Sequence, residues 1–552
     1  MHPVGFLALL SLPAAALAQM PAPAPAPVAP AVDSTAALPA EQAALRAHVL
    51  FLASDEMKGR EAGSPEYDIA AQYVAAQFSA AGLRPAGDKG GYLQRVPMVS
   101  YKAAGEGTLA WTPKGGRTQA LVFGTDYVPL ADARARARVL NAPVVFIGHG
   151  VHAPQFGHDD FKGVDVRGKI VAYVGGNPKL GNSEVEASLT RDFRMAEAQR
   201  RGAVGGIMIA DVAAGRSAAF DVTKKRWDRG AMTWSTPEGA GGGSATRGVP
   251  VVALLSRAGA AKLFGSAWQG VETAAKGTAP RFKPVAAAGT LSVKTATAFT
   301  PAASSNVVGV IPGSDPALAR EVVVLSAHLD HIGVSPDGEG DRINNGALDN
   351  AVGIASLIEE AKRFAASGQA PKRTVMFLAV TGEEKGLVGS DYFSNHPTVA
   401  LERIVADVNL DMPILFYPFT DVVALGAERS TLGPIVRRAA AGVGVGLAAD
   451  PIPEQAIFVR SDHFRFVQKG VPSVFLWPGP GNGGKEATTK FLAGCYHHPC
   501  DDLAQPIRWD QGVRFVDVNY RIAREIADGA QRPVWNKGDY FGTLYKGAMA
   551  AQ

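Results

Sequence analysis

The chain has 552 residues, of which 47% are apolar and 19% charged, with a formal net charge of +4. One hydrophobic core does not organise a chain this long, so two or more domains are expected, and the composition excludes a disordered or fibrous polypeptide. The basic residues form no long runs, so nothing in the sequence marks a nucleic-acid-binding surface.

Residues 4–17 are apolar and lead into Ala16-Leu17-Ala18, the small-x-small pattern of a cleavage site. Residues 1–18 therefore read as an export signal, although residues 1–5 carry no Lys or Arg. The stretch is too short to cross a bilayer, and no later segment reads as a membrane span. Residues 19–36 are mostly Pro and Ala and read as an extended tether. Within residues 37–124, a helix is expected over 38–53. A second is capped by Ser64, carries Pro65 in its first turn and stops at Gly82, with Ile69, Tyr73 and Ala76 on one face. Neither helix shows evident chemistry.

Residues 125–287 read as an inserted β-rich domain. Short apolar strand candidates at 143–148, 169–174, 205–210 and 249–255 are separated by Gly-rich and polar stretches. His149, His152 and His158 precede Asp159 and Asp160, but spacing alone does not make a metal site, and the segment reads as a solvated loop.

From about residue 305, within a segment taken as 288–535, the pattern becomes strand, loop and helix in repetition. Residues 321–327 and 374–381 are nearly continuous apolar runs, with further strand candidates at 403–410, 421–426 and 471–477. Such runs suit strands buried on both faces of a mainly parallel sheet. Over 351–364, Ile354, Leu357, Ile358, Ala361 and Phe364 line one helical face. The expected fold is α/β, a mainly parallel twisted sheet flanked by helices. Residues 536–552 read as a C-terminal tail.

Ligands in such sheets bind beyond the carboxyl ends of the strands. The first strand is followed by His328-Leu329-Asp330-His331, the second by Glu383-Glu384 and the third by Asp411. Asp349 and Asn350 close the loop between the first two, and Cys495-Tyr496-His497-His498-Pro499-Cys500-Asp501 comes late in the chain. These are nitrogen and oxygen donors that zinc accepts. Two divalent ions held roughly 3.5–4 Å apart need a carboxylate between them. The adjacent pair Glu383 and Glu384 suits a division of labour, one on the metal and one beside the water. The only two cysteines, Cys495 and Cys500, are free to pair in an oxidising compartment.

The motifs AHLDHIG, NNGALDNAVG, TGEEKGLVGS, NLDM, SDHFRF and CYHHPCD occur in this order. Through them, residues 305–502 resemble the catalytic domain of the co-catalytic di-zinc aminopeptidases. That family takes in secreted bacterial leucyl aminopeptidases, glutamate carboxypeptidases and the transferrin-receptor ectodomain. The resemblance implies two Zn2+ per chain, with His328 and Asp411 on one, Glu384 and His497 on the other, and Asp349 bridging. It makes Glu383 the general base, Asp330 the acid that hydrogen-bonds and orients His328, and Tyr496 an oxyanion donor. Arg460 is a possible substrate contact. Cys495 and Cys500 match a disulfide that flanks the metal histidine. His463 reads as structural, and no role is implied for His331 or His498. Residues 165–173 (DVRGKIVAY) resemble a protease-associated domain, and the region around Gly63-Ser64-Pro65 resembles the N-terminal part of the catalytic domain.

The same resemblance implies an exported aminopeptidase acting on peptides with a free N-terminus, through a metal-bridging hydroxide with Glu383 as base. Three alternatives share the fold: a dipeptidase or carboxypeptidase of the glutamate carboxypeptidase type, a one-zinc glutaminyl cyclase, and a binding protein without metals. The first needs a basic pocket, to which Arg460 and Arg465 could contribute. The full ligand set argues against the other two.

Overall fold

The apolar runs of the second half form the centre of one sheet. The strands Thr374–Val380, Val322–His328, Ile404–Asn409 and Ser473–Pro478 lie side by side and parallel. Val322–His328 and Ile404–Asn409 are buried along their whole length, because helices cover both faces of the sheet. Further strands complete it, paired antiparallel except that Gly446–Ala448 runs parallel to its neighbour Asp421–Leu425. Val285–Ile311, Leu93–Ala103 and Ala231–Trp234 extend one side, and Asp421–Leu425 with Gly446–Ala448 the other. The structure, a computed structural model, describes residues 37–210, 218–276 and 281–551, so the expected signal and tether lie outside the described residues.

The helix Val352–Ala366 lays Ile354, Leu357, Ile358, Ala361 and Phe364 against this sheet, as its periodicity predicts. Each aliphatic side chain buried this way contributes about 1.5–3 kcal/mol. The helix Pro65–Ala80 begins at Ser64, whose Oγ accepts from Tyr67 N at 3.0 Å. Its buried side carries Tyr67, Ala70, Ala71, Val74 and Phe78. Ile69, Tyr73 and Ala76 share a face as expected, but that face looks outward, and Ile69 is 53% exposed.

The inserted region has its own sheet and core. Val285–Ile311 serves both sheets: residues 285–296 pair with Ala137–Phe146, and residues 297–307 pair with Leu93–Ala103. Thr108–Pro113 also pairs with the first half of that long strand, so Leu109, Trp111, Leu291 and Val293 belong to the insert's core although they lie outside 125–287. Ala137–Phe146, Ile170–Val174, Gly205–Ile209 and Val251–Leu255 form a parallel quartet, packed by helices such as Arg191–Arg200 and Arg257–Phe264. The insert is thus itself α/β. The segment from 536 folds back as well: Trp535 N donates to Ala548 O, Ala550 N donates to Trp535 O, and Phe541 is buried.

The insert's His149 lies beside His158, their ring centroids 6.4 Å apart. His152 pairs with Asp159 and His158 with Asp160, each at 3.1 Å. Burial pushes the His149 imidazole down to about 4, and burial pushes that of His463 down to about 3, where Nε2 donates to Phe458 O. An unfolded chain takes up these protons near 6.5, whereas the folded protein resists until about 4 or below. Both groups therefore make stability fall as pH drops from about 6.5 towards 4. Melting followed by circular dichroism across that window should show a falling midpoint, and a flat one would contradict the assignment.

Candidate metal centre

Parallel strands bring their carboxyl ends to one edge of the sheet. His328 closes the strand Val322–His328, Glu383 and Glu384 follow Thr374–Val380, and Asp411 follows Ile404–Asn409. Asp349 lies in the turn that enters Val352–Ala366, and His497 follows the helix Gly484–Gly494. Gly346 in that turn has φ +62°, and a Cβ there would sit 2.1 Å from Asp349 O and 2.6 Å from His331 Cδ2.

Asp349 stands between two clusters. Its Oδ1 lies 3.2 Å from His328 Nε2, which is also 3.0 Å from Asp411 Oδ1. Its Oδ2 lies 3.2 Å from His497 Nε2, which is 3.1 Å from Glu384 Oε2. His497, and not the exposed His498, faces the carboxylates. His331, to which the motifs assign no role, also belongs here. It is fully buried, with Nδ1 2.8 Å from Glu384 Oε1 and 3.8 Å from Asp349 Oδ2. Two sets have donor atoms close enough for one ion each: His328, Asp349 and Asp411, and His331, Asp349 and Glu384.

Neighbouring groups hold these side chains in place. His328 Nδ1 donates to Asp330, but to its main-chain carbonyl at 3.1 Å rather than to its carboxylate. The Asp330 carboxylate instead accepts from Glu383 N at 3.1 Å and Glu384 N at 3.4 Å, so it orients the two glutamates. Ser461 Oγ donates to Asp411 Oδ2 at 2.6 Å, and Trp477 Nε1 donates to Asp411 O at 2.9 Å. Asp501, to which the sequence reading gives no role, accepts from Leu348 N and Asp349 N at 2.9 and 3.0 Å. Cys495 and Cys500 form a disulfide on either side of His497.

The electrostatics fit a cation. Burial pushes the His497 imidazole down, but Glu384 and Asp349 outweigh it and hold the group up to about 11. Burial likewise opposes protonation of His328, and Asp411 and Asp349 overcome it. Carboxylates that hold histidine protons this firmly suit divalent ions, which take the place of those protons on binding. Glu383 belongs to neither donor set. Burial pushes its carboxyl well up, and Glu384, Asp462 and Asp411 push in the same direction.

A cavity of about 310 Å³ opens on the site. His328, Asp349, Glu383 and Asp411 form its floor, and Met412, Ile452, Ile457, Phe475, Trp477 and Leu492 line its walls. Arg460 and Tyr496 also face it, and the Tyr496 ring stacks on His497 at 3.8 Å. Burial, then the charges of Asp349 and Glu384, keep the Tyr496 phenol protonated. Arg465 points elsewhere, donating to Gly386 O.

The strand ends of this α/β sheet gather carboxylates and histidines into two sets, each able to hold a metal ion, around one shared aspartate. Residues 306–523 match the model of Peptidase family M28. Leupeptin-inactivating enzyme 1 of Streptomyces exfoliatus is 28% identical over 210 residues, covering 36% of this chain and 43% of that protein. Aminopeptidase YwaD of Bacillus subtilis (strain 168) is 26% identical over 211 residues, covering 37% and 41%. The chain thus spans less than half the length of these curated relatives. Among solved structures, an aminopeptidase from Aneurinibacillus sp. strain AM-1 is 18% identical with a TM-score of 0.47, over 89% of this chain and 95% of that chain.

Proposed function

We propose that the protein is an exported zinc aminopeptidase that removes apolar residues from the free N-terminus of peptides. The cavity carries this reading: His328, Asp349 and Asp411 of one donor set line it together with Glu383, Asp349 is shared with the other set, and the rest of its lining is mainly apolar. His328, Asp349 and Asp411 would hold one zinc, and Asp349 and Glu384 the other together with His497, whose Nε2 lies 3.2 Å from Asp349 Oδ2 and 3.1 Å from Glu384 Oε2, with His331 beside Glu384 as a further donor. Bound zinc supplies Lewis acidity towards the peptide carbonyl and lowers the pKa of water towards about 7.

The chain's own groups do the rest. Glu383 stands outside the donor sets with a carboxyl held basic by burial and by its acidic neighbours, so it is suited to take a proton from water and pass it to the leaving amine. Tyr496 keeps its proton and faces the cavity, where it can donate to the oxygen that gains charge. The apolar walls seat the first side chain of the substrate and keep solvent out. The substrate ammonium would meet the carboxylates on the floor. Among the lining residues Arg460 is the only strong base, and it lies 3.4 Å from Gln455 Oε1, which favours an apolar side chain over a substrate carboxylate. The disulfide supports export, and the insert is read as a protease-associated domain on its DVRGKIVAY motif.

Hydrolysis of aminoacyl-p-nitroanilides tests this. Leu- and Phe-p-nitroanilide should exceed Ala-p-nitroanilide by roughly 10-fold or more in kcat/KM, since each buried methylene contributes to discrimination. N-acetyl-Leu-p-nitroanilide should not be cleaved. Equal cleavage of the blocked substrate, or no cleavage of any of them, overturns the reading.

A further inference from the structure

The stretch between the first two helices looks inert in sequence, yet it lies beneath the metal centre. Arg60 is fully buried and directs its guanidinium at main-chain carbonyls only. Nε donates to Leu329 O at 2.8 Å, one residue beyond His328. Nη1 donates to Leu52 O at 3.0 Å, at the end of the helix Ala40–Leu52, and to Asn345 O. Nη2 donates to Gly346 O at 2.7 Å and to Asp349 O at 3.3 Å. A single planar fork thus ties the loop behind His328 to the turn that carries Asp349.

The surrounding turn is shaped for this. Lys58, Gly59 and Arg60 all have positive φ, at 43°, 67° and 35°. A Cβ on Gly59 would sit 2.4 Å from Asn344 O and 2.8 Å from Gly333 O, so the backbone passes too close for any larger residue. Left-handed non-glycine residues are strained and persist only where the surroundings hold them. The same segment reaches the other ligand loops. Asn345 Nδ2 donates to Asp55 Oδ1 at 2.8 Å, Glu61 forms a backbone bridge with His331, and the Lys385 ammonium, next to Glu384, donates to Glu61 Oε1 at 2.6 Å.

We propose that Arg60 is a positioning residue for the metal centre, holding the His328 loop and the Asp349 turn in register so that one aspartate meets both donor sets. This rests on the two-zinc reading. Arg60 touches neither substrate nor metal and acts through the backbone of the residues that do.

Zinc affinity, measured by competition with a fluorescent chelator on folded protein, tests it separately from activity. Wild-type protein that takes up no zinc sinks the two-zinc reading itself. Given zinc in the wild type, Arg60→Met should weaken binding by about 10–100-fold, the usual loss when a group that orients a ligand is removed. Arg60→Lys should weaken it similarly, because one ammonium cannot bridge carbonyls from three segments. A purely structural role would lower the melting temperature of the zinc-free protein and leave zinc affinity unchanged. Wild-type affinity in folded Arg60→Met or Arg60→Lys therefore overturns the proposal. Where neither folds without metal, Arg60→Lys refolded in the presence of zinc and then titrated with the chelator decides: weaker zinc binding than wild type supports the clamp, and wild-type affinity overturns it.

Discussion

Glu383→Gln should lower kcat by roughly 10²–10⁴-fold while leaving two zincs bound, the range expected when a general base is removed. The substitution keeps the shape of the side chain and removes only its capacity to accept a proton. Metal content should hold, because Glu383 belongs to neither donor set. The backbone should hold too, since Glu383 N is anchored on Asp330 Oδ1 at 3.1 Å whichever side chain it carries. KM should change little, as the cavity floor keeps its volume. Steady-state kinetics on Leu-p-nitroanilide with zinc analysis of the same sample checks this, and a fall of less than about 10-fold in kcat would remove Glu383 from the role of base.

The second large effect is expected at Asp349. Its two carboxylate oxygens face different histidines, Oδ1 facing His328 and Oδ2 facing His497, each at 3.2 Å. Asp349→Ala removes a donor from both sets at once, whereas Asp411→Ala or Glu384→Ala strips only one. Asp349→Ala should therefore retain less than one zinc and lose activity, and each of the other two variants should retain about one zinc. Retention of two zincs by Asp349→Ala would show that it bridges nothing. Circular dichroism separates loss of metal from loss of fold.

The residues that make up this site are legible in the sequence because strand ends mark them. Apolar runs at 321–327, 374–381 and 403–410 end in His328, Glu383-Glu384 and Asp411, and a parallel sheet gathers those ends at one edge. His497 is found through the order of its motif and not from any strand. The features hidden from sequence depend on main-chain carbonyls. Arg60 and the Asp330 contact to His328 both work through backbone oxygens, whose convergence depends on tertiary structure. An arginine beside a glycine in a charged turn is the available signal, but alone it reads as a surface loop. His331 is hidden for a related reason: it follows the strand by three residues, and only the turn at Gly346 shows which way its ring faces. Val285–Ile311 runs through both sheets, so no composition break marks where one sheet gives way to the other.

The function proposed for this protein depends above all on one aspartate holding two metal ions. Anomalous diffraction at the zinc edge from crystals of the zinc-loaded protein tests this directly. Two peaks are expected to flank the Asp349 carboxylate, one beside His328 and Asp411 and the other beside Glu384. A single peak, or two peaks that do not share Asp349, would contradict it.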